Sequence, residues 1–205
     1  MTKTSEKEAD ALHDSHERSS YVVSEIHRLP GHPKEAWFRV GTSNQAVTNL
    51  LTKAFQPGDV LRVGPSTFEV RELQVDQPEA RPGLFFTISP ILLHEEDSHR
   101  SLVHDSDDYH VALQSAINGQ IRNHLGETST VSLRRVVPKA VRKRTIDEGT
   151  YLAQKAALHL DGSEEHLLFL LNHGIGASPA LGFGMIMLDD SRPGPEARDD
   201  FEGAD

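Results

Sequence analysis

Six basic side chains, Arg134, Arg135, Lys139, Arg142, Lys143 and Arg144, fall within 11 consecutive positions, and no acid stands between Glu127 and Asp147. The whole chain carries 31 acidic against 21 basic side chains, a formal charge of −10. Its bulk field therefore repels polyanions, and any attraction to phosphate has to come from a local patch. In that setting the cluster reads as a phosphate-binding segment, with a solvated hairpin as the competing reading. A second stretch, Asn172 to Leu188, sets glycines in two pairs, Gly174/Gly176 and Gly182/Gly184. Paired glycines let a backbone turn sharply and approach a ligand. The stretch leaves an expected helix and enters an expected strand, the reverse of a dinucleotide fingerprint, and no Gly-Lys-Ser/Thr triplet forms a P-loop. It reads as a backbone surface held open for a partner, its consecutive amides forming an anion-binding concavity. The alternative is a plain connection from helix to strand.

The 12 histidines invite a metal reading. His13 and His16 are three apart, while His94, His99 and His104 are spread through a charged segment, and neither set has the H-E-x-x-H or His/Cys spacing of a closed site. They read as solvent-exposed side chains, with no metal and no cofactor. There is no cysteine, which excludes disulfides and thiolate catalysis and points to a reducing compartment. No G-x-S-x-G elbow supports an acyl-transfer hydrolase. No apolar run reaches transmembrane length and the polar N-terminus is not a signal peptide, so the default is a soluble cytoplasmic protein without a membrane partner.

The elements that must position these residues come in two series. At 205 residues the chain can bury one sizeable core or two of about 100 residues each. Residues 1–20 read as a helical scrap ending near His13, followed by strands at Tyr21 to Leu29 and Ala36 to Gly41 around the Pro30-Gly31-His32-Pro33 turn. Ser43 is expected to cap a helix whose Val47, Leu50, Leu51, Ala54 and Phe55 share one face. Val60 to Val63 and Thr67 to Val75 read as a strand pair or one long bent strand. Gln77 to Gly83, with two prolines and a glycine, marks the domain boundary.

Beyond it, Leu84 to Leu93 reads as a central strand with Pro90 at a bulge or edge. Glu95 to Asp108 reads as a charged loop. Tyr109, Leu113, Ile117, Ile121 and Leu125 make a stripe on a helix that stops at Gly126. Strands at Thr130 to Val137 and Thr150 to Leu160, a helix capped by Ser163 and a strand at Gly184 to Leu188 complete β-α-β-β-α-β, the ferredoxin-like order. The basic cluster is expected on the connection between the two middle strands. The first series has the same order without its opening strand and most of its first helix. The fold class is thus α+β with tandem ferredoxin-like (RRM-like) domains, 1–78 and 83–189, and a disordered acidic tail at 190–205. Because a missing first strand leaves its neighbours with unpaired backbone groups, the reading frame is expected to begin upstream of Met1, or another chain to fill the gap. The sheet faces lack an aromatic-rich RNA recognition consensus.

This duplicated pattern, closed by Gly174-Ile-Gly176 and Leu181-Gly-Phe-Gly184, resembles the CRISPR-associated endoribonucleases that cut precursor CRISPR RNA within its repeats, members of the repeat-associated superfamily with tandem ferredoxin-like domains. The resemblance includes Leu12-His13-Asp14, Phe86-Thr-Ile-Ser-Pro-Ile91, the helix from Tyr109 to Leu125 and Gly162. It implies that His13 occupies the position of the family's usual catalytic histidine. Members often carry a lysine a few residues later, where Ser19 stands here with Arg18 beside it as the substitute cation. The implied reaction is metal-independent transesterification, leaving a 2′,3′-cyclic phosphate, with precursor CRISPR RNA as partner and other CRISPR effector subunits as further partners. A non-catalytic RNA-binding subunit is the alternative.

Overall fold

The computed structural model describes residues 21–189 apart from 64, 96–99, 105–107 and 147–148. His13 and Arg18 lie outside the described residues, as does the acidic tail.

The C-terminal half builds one four-stranded sheet from β7 (Gly83–Thr87), β10 (Ser132–Ile146), β11 (Gly149–Asp161) and β12 (Ile186–Leu188). Their spatial order is β10-β11-β7-β12 and every neighbouring pair is antiparallel. With α2 (Tyr109–Leu125) after the first of these strands and α3 (Glu164–His173) after the third, this is the expected ferredoxin-like arrangement. The four-residue period of α2 explains why it docks: Tyr109, Leu113, Ile117 and Ile121 are all buried, meeting Phe85, Leu158, Leu160, Leu167, Leu170 and Ile186 in one core. Each aliphatic or phenylalanine side chain among them contributes about 1.5–3 kcal/mol by leaving water. Gly126 ends α2 in a left-handed conformation, and its N–H donates to the Arg122 carbonyl, as its position after the stripe requires. Ser163 caps α3, its side chain accepting from the His166 N–H.

The central strand is shorter than its apolar sequence suggests. β7 ends at Thr87, Ile91 bridges Gln154, and β8 (Leu93–His94), just before the segment read as a charged loop, pairs with β9 (Ser101–Leu102) inside it. Conversely, β10 is much longer than expected, while β11 keeps nearly its expected bounds, and the two form a hairpin that runs past the rest of the sheet.

In the N-terminal half, the two strands expected at Tyr21 to Leu29 and Ala36 to Gly41 form one interrupted hairpin. β1 (Tyr21–Val23) pairs with β4 (Val40–Thr42), and β2 (His27–Leu29) with β3 (His32–Trp37). Between them the Ser24 N–H donates to the Arg39 carbonyl at 2.8 Å, and the Arg39 N–H to Ser24 Oγ at 2.8 Å. Helix α1 (Gln45–Ala54) is capped by Asn44, whose Oδ1 accepts from the Ala46 N–H at 2.9 Å. Ser43 is not the cap, because its hydroxyl lies 2.8 Å from His173 Nε2 across the molecule. β5 (Val60–Val63) and β6 (Ser66–Glu69) form a separate hairpin. Among the described residues, no strand joins it to the β1–β4 pair.

Candidate nucleic-acid interface

The basic cluster is strand, not connection. All six residues lie on β10, the edge strand of the sheet, where Pro138 removes no ladder donor that the sheet needs. Two bulges interrupt its pairing, between Leu133 and Arg135 and between Pro138 and Ala140, leaving Arg134 and Lys139 as extra residues. Directly opposed residues share a face of a sheet. Arg135 opposes His159, Ala140 opposes Lys155, Arg142 opposes Ala153 and Arg144 opposes Tyr151, and those four β11 partners stand at alternate positions of an uninterrupted strand. Arg135, Arg142, Arg144 and Lys155 therefore share one face. Strict alternation from Arg135 would have put Arg142 and Arg144 on the other side, so the bulge at Lys139 is what gathers them. Lys143, opposite Leu152, points away from this face. It is the face opposite the helices, since Ala156, Leu158 and Leu160 fill the core.

Lys155 anchors the cluster. Its Nζ donates to Glu25 Oε2 at 2.8 Å and to the Ile88 carbonyl at 3.1 Å. Burial lowers its pKa first, and the neighbouring charges of Arg142 and Arg144 lower it further, despite the carboxylate. Arg144 pairs with the other oxygen of Glu25, while Arg134 pairs with Asp161 at 2.9 Å. Arg135, Lys139, Arg142 and Lys143 are exposed. More guanidinium and ammonium groups converge here than Glu25 can neutralise, which leaves a positive face on an acidic protein.

The glycine stretch packs beside it. Phe183 is buried against Ala153 and Leu92 and meets the ring of Tyr151 edge-on at 6.4 Å, and those two β11 residues are the cross-strand partners of Arg142 and Arg144. The expectation of an open amide cradle is corrected, however. The Gly174 N–H donates to Leu170, Ile175 to Gly184, Ala177 to Leu92, Gly182 to Pro179 and Gly184 to Pro90, at 2.8–3.2 Å. Gln120 brackets Gly176, accepting from its N–H at 3.1 Å and donating to its carbonyl at 3.3 Å. These glycines serve close packing: all four have positive φ, and a Cβ at Gly174, Gly176 or Gly184 would overlap Val22, Leu92 or Ile175. Only Gly182 faces open space. The stretch closes the fold against β1 and the Pro90–Leu92 segment, and it holds the far end of the hairpin in place.

The match to a family model covers 74–188, more than half of the chain, and the model is that of the C-terminal part of the CRISPR-associated protein Cas6. The chain belongs to the Cas6 family. Among solved structures, one described as a CRISPR-associated protein Cas6 superposes with a TM-score of 0.68 at 18% identity, over 89% of this chain and 83% of that one. A repeat-associated superfamily protein described as binding different RNA substrates gives 0.62 at 19% identity, over 83% and 80%. A Cas6 product complex gives 0.57 at 13% identity, over 90% and 87%. At these identities the likeness is one of fold. No curated protein sequence matches the chain. Among the described residues, no helix is long and apolar enough to cross a membrane.

Three residues at this face were missed from sequence: Lys155 on β11, Glu25, which pairs with it, and His27 on β2, whose pKa is lowered by burial and then by the Lys155 charge. Lys155 carried the clearest signal, a lone charge inside the run Ala153-Gln-Lys-Ala-Ala157, where a buried lysine demands a partner. Glu25 and His27 carried none, because they matter only once the hairpin folds over the sheet.

Proposed function

We propose that this chain binds precursor CRISPR RNA along the exposed basic edge strand of its C-terminal sheet, on the face opposite the helices, and cleaves it within the repeat by metal-independent transesterification. The observation that carries the binding reading is the bulged edge strand. It gathers Arg135, Arg142 and Arg144 with Lys155 on one face of a protein whose net charge is −10. Such a face contacts phosphates and fixes the strand without reading its sequence. In this reading 1–78 and 83–189 are the two ferredoxin-like domains, and other CRISPR effector subunits share the RNA in the cytoplasm.

The cleavage chemistry falls to His13, with Arg18 as the nearby cation. The ribose 2′-oxygen attacks the adjacent phosphorus as a histidine removes its proton, the P–O2′ bond forms, the P–O5′ bond breaks, and the departing 5′-oxygen takes up a proton. A side chain that titrates near neutrality suits both transfers, and a guanidinium stabilises charge gathering on the phosphorane.

The test is incubation of a labelled CRISPR repeat with the protein in EDTA. Products ending in 2′,3′-cyclic phosphate and 5′-hydroxyl are expected. His13→Ala is expected to lose cleavage while keeping its affinity, because a proton-transfer group acts mainly in the transition state. Binding without cleavage in the wild type would leave a non-catalytic RNA-binding subunit, and absence of binding would overturn the reading.

A further inference from the structure

Trp37 is the one tryptophan of the chain, and it is 40% exposed. A side chain of this size normally gains by burial, so its position needs a reason. It closes β3 directly opposite His27 of β2, and the two rings stack with centroids 4.5 Å apart and planes inclined by 21°. The imidazole therefore covers one face of the indole, and among the described residues the remaining exposure belongs to the other face and the edge.

The stack is fixed in place. His27 Nε2 is buried with no hydrogen-bond partner, so the ring is held by packing. Burial, and then the charge of Lys155, lower its pKa, which keeps it neutral and apolar toward the indole. Two residues earlier in the chain, Glu25 grips Lys155 and Arg144, and two residues after Trp37, Arg39 reaches Met187 on β12. The hairpin arm that carries Trp37 is thus tied down on both sides to the helix-free face of the sheet, beside its cations.

We propose that the free face of Trp37 is a stacking platform for an unpaired base of the bound RNA, with Arg142, Arg144 and Lys155 holding the neighbouring phosphates. An aromatic plane next to a cationic track is the combination that single-stranded RNA recognises, because every base has a π-face and every linkage a charge. An apolar protein partner would find Leu29 and Ile26 exposed nearby but would have to desolvate the same guanidinium and ammonium groups, and only a polyanion gains from them. This inference rests on the RNA-binding reading above.

The experiment separates the two. Fluorescein-labelled repeat RNA is titrated into the full chain while anisotropy and tryptophan fluorescence are followed together. Since Trp37 is the only emitter of its kind, stacking is expected to quench that emission along the same curve as the anisotropy rise. Trp37→Ala is expected to weaken binding about 10- to 100-fold, and Trp37→Phe to recover most of the loss. Binding by the wild type with unquenched emission, or by Trp37→Ala at wild-type strength, would overturn the platform and leave RNA binding standing. Absence of binding by the wild type would overturn both. The quenching measurement needs no variant, so a poorly folded Trp37→Ala would not rescue the proposal.

Discussion

Gly184→Ala and Gly182→Ala place the same methyl group at two left-handed positions of the glycine stretch, and the structure assigns them different consequences. A left-handed conformation costs an alanine about 1–2 kcal/mol at either site. At Gly182, where nothing stands within 4 Å of the new atom, that is the whole effect. At Gly184 the Cβ would overlap the backbone of Ile175, whose N–H donates to the Gly184 carbonyl at 2.9 Å while the Gly184 N–H donates to Pro90 at 2.9 Å. Relieving the overlap breaks both bonds, adding about 1 kcal/mol each. The total, about 3–4 kcal/mol, is a large fraction of the roughly 5–15 kcal/mol that stabilises a domain. In a chain of this size each kcal/mol moves Tm by about 2–4 °C, so Gly184→Ala is expected to melt roughly 6–16 °C lower and Gly182→Ala roughly 2–8 °C lower. Thermal denaturation followed by circular dichroism, on both variants in one buffer, makes the comparison. Equal melting temperatures would refute the packed role assigned to Gly184.

Two further expectations concern particular side chains. Gln120→Leu removes the donor and the acceptor that bracket Gly176 and is expected to cost about 1–3 kcal/mol in urea unfolding; a variant as stable as wild type would show that water replaces the amide there. His27 has a pKa lowered in the folded chain by burial and by Lys155, against an ordinary value near 6.5 when unfolded. Below that value the unfolded chain binds the extra proton first, so His27 makes stability fall as pH drops. Unfolding free energies measured from pH 7.5 down to about 5 are expected to fall less steeply for His27→Gln than for wild type, and parallel curves would show that His27 titrates normally.

The periodic parts of the fold were legible in sequence. The α2 stripe, Gly126 after it and Ser163 before α3 each fix a local choice whose physics is complete within a few residues, and the ferredoxin-like order followed from them. What sequence hid was non-local. Two cap-competent residues, Ser43 and Asn44, stand side by side, and His173 decides between them by taking Ser43. The two bulges of β10 break the period of two, and its charges replace the apolar half of a strand pattern, so a strand of 15 residues read as a short strand and a basic connection. The glycine stretch offered positive φ and close approach, both of which it has, but its partners are Pro90 and Leu92, which no local pattern could name.

The face created by the Lys139 bulge is tested most directly by the salt dependence of RNA affinity. Arg135, Arg142 and Arg144 are replaced together by alanine and compared with Lys143→Ala, a change of the same sign on the opposite side of the strand. On single-stranded repeat RNA each phosphate contact contributes about 0.7 to the slope of log K against log salt. The triple variant is expected to bind more weakly with a slope shallower by about 2, while Lys143→Ala keeps the wild-type slope. A Lys143 variant that loses as much slope as any one of the three arginines, or a triple variant whose slope is unchanged, would contradict the interface.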